Sequence, residues 1–179
     1  MSELKQSRVA LVVIKLKFRD TPYYLMRNNK AWGDVSFVGG HVDERDADSL
    51  ERAAHRELLE EVPSLKCERS FDLNILTPQL DYGPVYSASA KTQVVYDLQF
   101  FLLLFHQTPE SVITSLRKRS MNVLLAQSEL LQPTRYKVAT LVEILNNQYP
   151  GGLSAIPYSW PRNLESIGNT ATQSILALK

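Results

Sequence analysis

Residues 39–62 read Gly-Gly-His-Val-Asp-Glu-Arg-Asp-Ala-Asp-Ser-Leu-Glu-Arg-Ala-Ala-His-Arg-Glu-Leu-Leu-Glu-Glu-Val. The second half has the period of a helix, with Leu50, Ala54, Leu58 and Val62 forming an apolar stripe. Asp48 and Glu51 have the D-x-x-E spacing of a capping box, so the helix is expected to begin near Asp48 and to stop before Pro63. On such a helix Glu57, Glu60 and Glu61 converge on one face, at the edge of the stripe. Like charges spaced i,i+3 and i,i+4 cost roughly 0.2–0.5 kcal/mol per pair in an isolated helix. A hard dication would turn that cost into a binding site, because Mg²⁺ and Mn²⁺ prefer carboxylate oxygens. The plain alternative is a solvated acidic face, with Arg56 an ordinary partner of Glu60.

Outward from this stretch, Val9–Phe18 and Tyr23–Arg27 read as a strand hairpin, followed by a short strand from Val35 to Val38. Gly39-Gly40 is expected to bend the chain sharply. Phe71–Leu80 and Val94–Phe105 read as longer strands separated by a turn-rich section, Asp81–Lys91. A helix over Ser111–Lys118, a short strand at Val123–Ala126, a helix over Leu141–Asn147 and a weakly helical tail complete the order. The fold class expected is α+β, with a mixed β-sheet sandwiched between helices.

The chain has 179 residues, 44% of them hydrophobic, and a formal net charge of +1, which suits one domain with a real core. The near-neutral balance argues against a nucleic acid duplex as partner. The longest apolar run, Phe100–Phe105, is too short to cross a bilayer, so no membrane partner is expected. The N-terminal residues lack the apolar core of a signal peptide, and a single cysteine, Cys67, permits no internal disulfide. A cytoplasmic protein is the expectation.

The glycine pair followed by Arg56-Glu57-Leu58-Leu59-Glu60-Glu61 resembles the box of the Nudix hydrolase family, whose pattern is Gly, five residues, Glu, seven residues, then Arg-Glu-aliphatic-any-Glu-Glu-any-Gly. In this reading Asp48 stands for the first glutamate, with two extra residues between it and Gly40, and Pro63 replaces the closing glycine. The resemblance implies a Nudix fold over residues 1–150, with residues 151–179 a C-terminal extension that packs on the domain or on a partner. It implies Mg²⁺- or Mn²⁺-dependent hydrolysis of a small-molecule nucleotide, a nucleoside diphosphate linked to another group, by water attack on phosphorus. Glu57, Glu60, Glu61 and the Gly40 carbonyl would hold metal. Glu57, Glu60, Arg56 and the later Glu110 would serve catalysis, with Asp48 suggested as the partner of Arg56. Gly39, Gly40, Trp32 and Arg27 would meet the substrate. Paired subunits are common in the family, so a homodimer is one expected assembly. The departures from the pattern also motivate a second reading, a Nudix-fold module that binds or senses a nucleotide without turning it over.

Overall fold

The computed structural model describes residues 4–18, 21–29, 34–62, 65, 71–105, 122–126, 136–138 and 154–156. Two long strands, β1 (Lys5–Phe18) and β7 (Thr92–Phe105), lie parallel at the centre, with Val9 opposite Leu98 and Val12 opposite Phe101. Each then shares its far side between two partners. β1 pairs through Val9–Val12 with β4 (Val38–His41) and through Ile14–Phe18 with β2 (Thr21–Asn29), both antiparallel. β7 pairs with β5 (Phe71–Ile75) near its end and with β6 (Leu80–Ser87) near its start. β3 (Asp34–Ser36) and β8 (Asn122–Ala126) both pair with β2, while β9 (Tyr136–Val138) and β10 (Ser154–Ile156) form a separate pair. The mixed sheet and the hairpin expected from sequence are present.

The alternation along β1 sorts the sheet into two faces. Ala10, Val12 and Ile14 point to one face, where they pack with Val38, Phe101 and Leu103 beneath the helix α1 (Leu50–Glu61). That helix contributes Leu50, Ala53, Ala54 and Leu58, all buried, with Val62 just beyond its end. The predicted stripe is therefore the face that covers the sheet. The expected helices over Ser111–Lys118 and Leu141–Asn147, and the helical tail, lie outside the described residues. No helix among the described residues is long and apolar enough to cross a membrane.

Three local readings need correction. Gly39 and Gly40 do not bend the chain; they lie within β4, opposite Leu11 and Ala10. Gly39 has φ +149°, and a Cβ there would run into the Ala10 carbonyl oxygen, so glycine is required by the close approach of β4 to β1. The stretch read as one strand from Phe71 to Leu80 is broken at Leu76–Thr77, where both backbone N–H groups donate to the Phe100 carbonyl (2.9 and 3.3 Å). The buried Thr77 hydroxyl accepts from the Phe100 N–H at 3.1 Å, which fixes the break. The section read as turns, Asp81–Lys91, is a strand as far as Ser87. Its Gly83-Pro84 step sits at the register shift between Tyr82 and Val85, where no ladder N–H is needed.

Leu58 is fully buried between the helix and the sheet. Leu58→Ala is expected to lower unfolding free energy by about 3 kcal/mol. Urea denaturation checks this, and a loss below about 1 kcal/mol would place α1 elsewhere.

Candidate functional site

The loop from β4 to α1 is built on carboxylates. Asp43 caps a single 3-10 turn, Glu44–Asp46: its side chain accepts from the Arg45 N–H at 2.8 Å, and the Asp46 carboxylate accepts from the Asp43 N–H at 2.9 Å. This reciprocal capping box belongs to the loop. The helix has a different cap from the one expected: Ser49, whose hydroxyl accepts from the Arg52 N–H, replaces Asp48. Ala47 and Asp48 both adopt positive φ, 48° and 58°, and turn the chain from the loop into the helix.

Arg56 was expected to pair with Asp48. It pairs instead with Asp46, donating from Nε to Oδ1 at 2.9 Å and from Nη2 to Oδ2 at 2.8 Å. Asp46 is 1% exposed, and the side chain of Arg56 is 13% exposed. A two-point pair matches the guanidinium fork, and at this depth the desolvated carboxylate needs it. The signal was in the sequence: five residues, 41–45, separate Gly40 from Asp46, as the pattern has it. The two extra residues therefore fall after the acid, at the positive-φ turn of Ala47 and Asp48. Asp48 is held elsewhere, accepting from Arg8 at 2.6 Å, while Arg8 also reaches Asp97 at 3.1 Å.

Arg56 does more than hold the loop. It donates to the His41 carbonyl at 2.9 Å, to Glu57 at 2.7 Å and to Glu60 at 3.4 Å. The Glu57 carboxylate lies against Gly40, so that a Cβ at that position would overlap it. Gly40 and Glu57 are thus brought together from strand and helix. Glu60 also takes Arg45 at 3.1 Å, and Glu61 takes Arg27 of β2 at 3.1 Å. Arg27 therefore stands beside the acidic face, while Trp32 and Glu110 lie outside the described residues.

Three arginines thus compensate the crowded carboxylates, a solution the reading in terms of dications alone did not foresee. Among the described residues no three acidic, histidine or cysteine side chains are gathered as a metal cage. The donor chemistry nonetheless suits a hard dication: oxygen ligands on one helix edge, beside a strand whose missing Cβ leaves the carboxylate room. The surrounding charges act on ionisation in a consistent direction. Hydrogen bonding from Arg56 holds the Asp46 carboxyl below its ordinary range, and Asp46 in turn raises Arg56. Arg45 lowers Asp43 in the same way.

A model of the NUDIX domain matches residues 6–120. NrtR from Shewanella oneidensis shares the fold at TM-score 0.51 and 18% identity, over 71% of this chain and 55% of its own. A structure of NrtR complexed with a 27mer DNA aligns at TM-score 0.49 and 16% identity, over 78% of this chain and 57% of that one. A Nudix hydrolase from M. smegmatis, RenU, aligns at TM-score 0.42 and 13% identity, over 79% and 87%. The chain spans little more than half the length of NrtR. No curated protein sequence matches it. The expectation that a duplex is excluded is withdrawn: the solved structures similar to this chain include one of NrtR complexed with a 27mer DNA.

The pairing of Arg56 with Asp46 sets a pH test. A carboxyl whose folded pKa is lowered contributes stability that is complete above its unfolded value, near pH 4, and is lost as pH falls through the folded value. Asp46→Asn is expected to cost about 3 kcal/mol at pH 7 and to flatten the acid limb of the stability curve, whereas Asp48→Asn costs less than about 1 kcal/mol. Chemical denaturation of both variants between pH 2 and 7 checks the ranking; equal costs would return Asp48 to the role first expected of it.

Proposed function

The chain belongs to the Nudix family, and on that premise we propose that it hydrolyses the phosphoric anhydride bond of a nucleoside diphosphate carrying a further group, with Mg²⁺ or Mn²⁺. The observation that carries this reading is the joining of Gly40, Glu57, Arg56 and Asp46 into one part-buried polar unit between β4, the loop and α1. Glu57 and Glu61, with Glu60 and the Gly40 carbonyl, would hold the metal. Bound there, a divalent ion would neutralise diphosphate charge and lower the pKa of water.

The protein's own groups have separable tasks in this proposal. Arg56 orients Glu57 and keeps the loop on the helix. Glu57 or Glu60 takes the proton released as water attacks phosphorus, and Glu110 is a further candidate for that role. Arg27 carries the positive charge for a phosphate oxygen, and Gly39 and Gly40 let the diphosphate approach backbone, with Trp32 assigned to the substrate as well. Residues 1–150 would form the hydrolase domain and residues 151–179 an appendage to it. A reducing compartment, the cytoplasm, suits a chain with one cysteine.

The ion pairs on Glu60 and Glu61 favour a second reading, a nucleotide-binding module without turnover, since both acids already have cationic partners. A panel of nucleoside triphosphates, sugar nucleotides, ADP-ribose and dinucleoside polyphosphates, with Mg²⁺ or Mn²⁺, separates the two. The expected result is turnover of at least one, and a loss of about 100-fold or more in Glu61→Gln with the fold retained. Tight binding by calorimetry with no product after long incubation would establish the binding module instead.

A further inference from the structure

The acidic edge of α1 has its positive charges built in, and they are anchored differently. Arg56 is shared with the buried Asp46, and Arg45 is shared with Asp43 at 2.5 Å. Both arginines keep a carboxylate partner when the helix glutamates turn to another cation. Arg27 comes from the sheet side, on β2, and the acid it reaches is Glu61. Its Nε is buried and has no hydrogen-bond partner among the described residues. The pair therefore leaves part of the guanidinium unsatisfied, while it neutralises a glutamate whose side chain is only 17% exposed.

We propose that Arg27 is the resident counter-ion of Glu61 and competes with a divalent cation for it, so that metal loading and the Arg27–Glu61 pair exclude each other. This rests on the metal-dependent reading above. The physical reason is Coulombic. A guanidinium 3.1 Å from a carboxylate oxygen stabilises the helix edge when no ion is present, but it repels a dication placed on that carboxylate. Of the three arginines, Arg27 has most to gain by leaving, because its unpartnered N–H can then meet an anionic oxygen. Loading would thus free a cation at the edge of the site as the ion arrives, and the diphosphate would follow the metal. Toward the metal, Arg27 acts through Glu61.

Direct Mn²⁺ binding tests this without any turnover. Free Mn²⁺ is counted by electron paramagnetic resonance in titrations of the full-length wild type, Arg27→Gln and Arg27→Lys. Removing the competitor is expected to tighten Mn²⁺ binding about tenfold in Arg27→Gln. Arg27→Lys, which keeps the charge but loses the planar fork, is expected to shift the same way by about threefold, and it carries the test where the glutamine variant does not fold. With EDTA present, Arg27→Gln should melt lower than wild type, and saturating Mn²⁺ should raise its Tm by more than it raises that of wild type. Equal or weaker Mn²⁺ binding in the folded variants overturns the competition while leaving the metal site standing. Absence of Mn²⁺ binding in wild type and both variants overturns the metal-dependent reading itself, and the competition with it.

Discussion

The two-point pair between Arg56 and Asp46 is the constraint on which the site depends. A carboxylate 1% exposed is a large desolvation cost unless a cation meets it with good geometry, and the guanidinium fork does so at 2.8 and 2.9 Å. The same guanidinium donates to the carbonyl at the end of β4 and to Glu57. One side chain thus ties strand, loop and helix together. Without it the loop would have no reason to bury an acid, and Glu57 would have no fixed position against Gly40.

Charge on the helix follows from this anchor. Three glutamates in five residues repel one another, and each finds an arginine supplied by a different element: Arg56 from the helix itself, Arg45 from the loop and Arg27 from β2. The pairs on the half-exposed Glu60 are worth little individually. Those on Glu57 and Glu61 matter more, because both side chains are largely withdrawn from water. The arrangement meets the electrostatic cost of the acidic face with protein charges, each supplied as a guanidinium beside a carboxylate.

The sheet explains why these elements meet. β1 gives its first half to β4 and its second half to β2, which brings Gly40 and Arg27 to the same side of one strand. The two positions left without side chains, Gly39 and Gly40, serve opposite neighbours. Gly39 clears the backbone of β1, and Gly40 clears the Glu57 carboxylate. The small Ala53 and Ala54 of α1 are both fully buried in the core between helix and sheet.

The apolar stripe of α1, the hairpin of β1 and β2, and the family of the chain were legible in the sequence because each is written in local spacing: 3.6-residue periodicity, alternation, and an ordered motif. The motif's acidic position was legible too, since Asp46 follows Gly40 after five intervening residues, yet Asp48 also offered a capping pattern, and only burial distinguished them. Asp48 lies on the surface with Arg8, and Ser49 caps the helix. The strand character of Gly83-Pro84 was hidden because glycine and proline signal turns locally, whereas an edge strand at a register shift tolerates both. The partners of Glu60 and Glu61 were beyond any local reading. Arg45 and Arg27 reach them across 15 and 34 positions of chain, and which arginine meets which acid is decided by the pairing of β1, β2 and β4. Sequence alone determined the acids and the helix that carries them; tertiary structure decided their counter-charges, because ion pairing depends on distance in space and the sheet sets that distance.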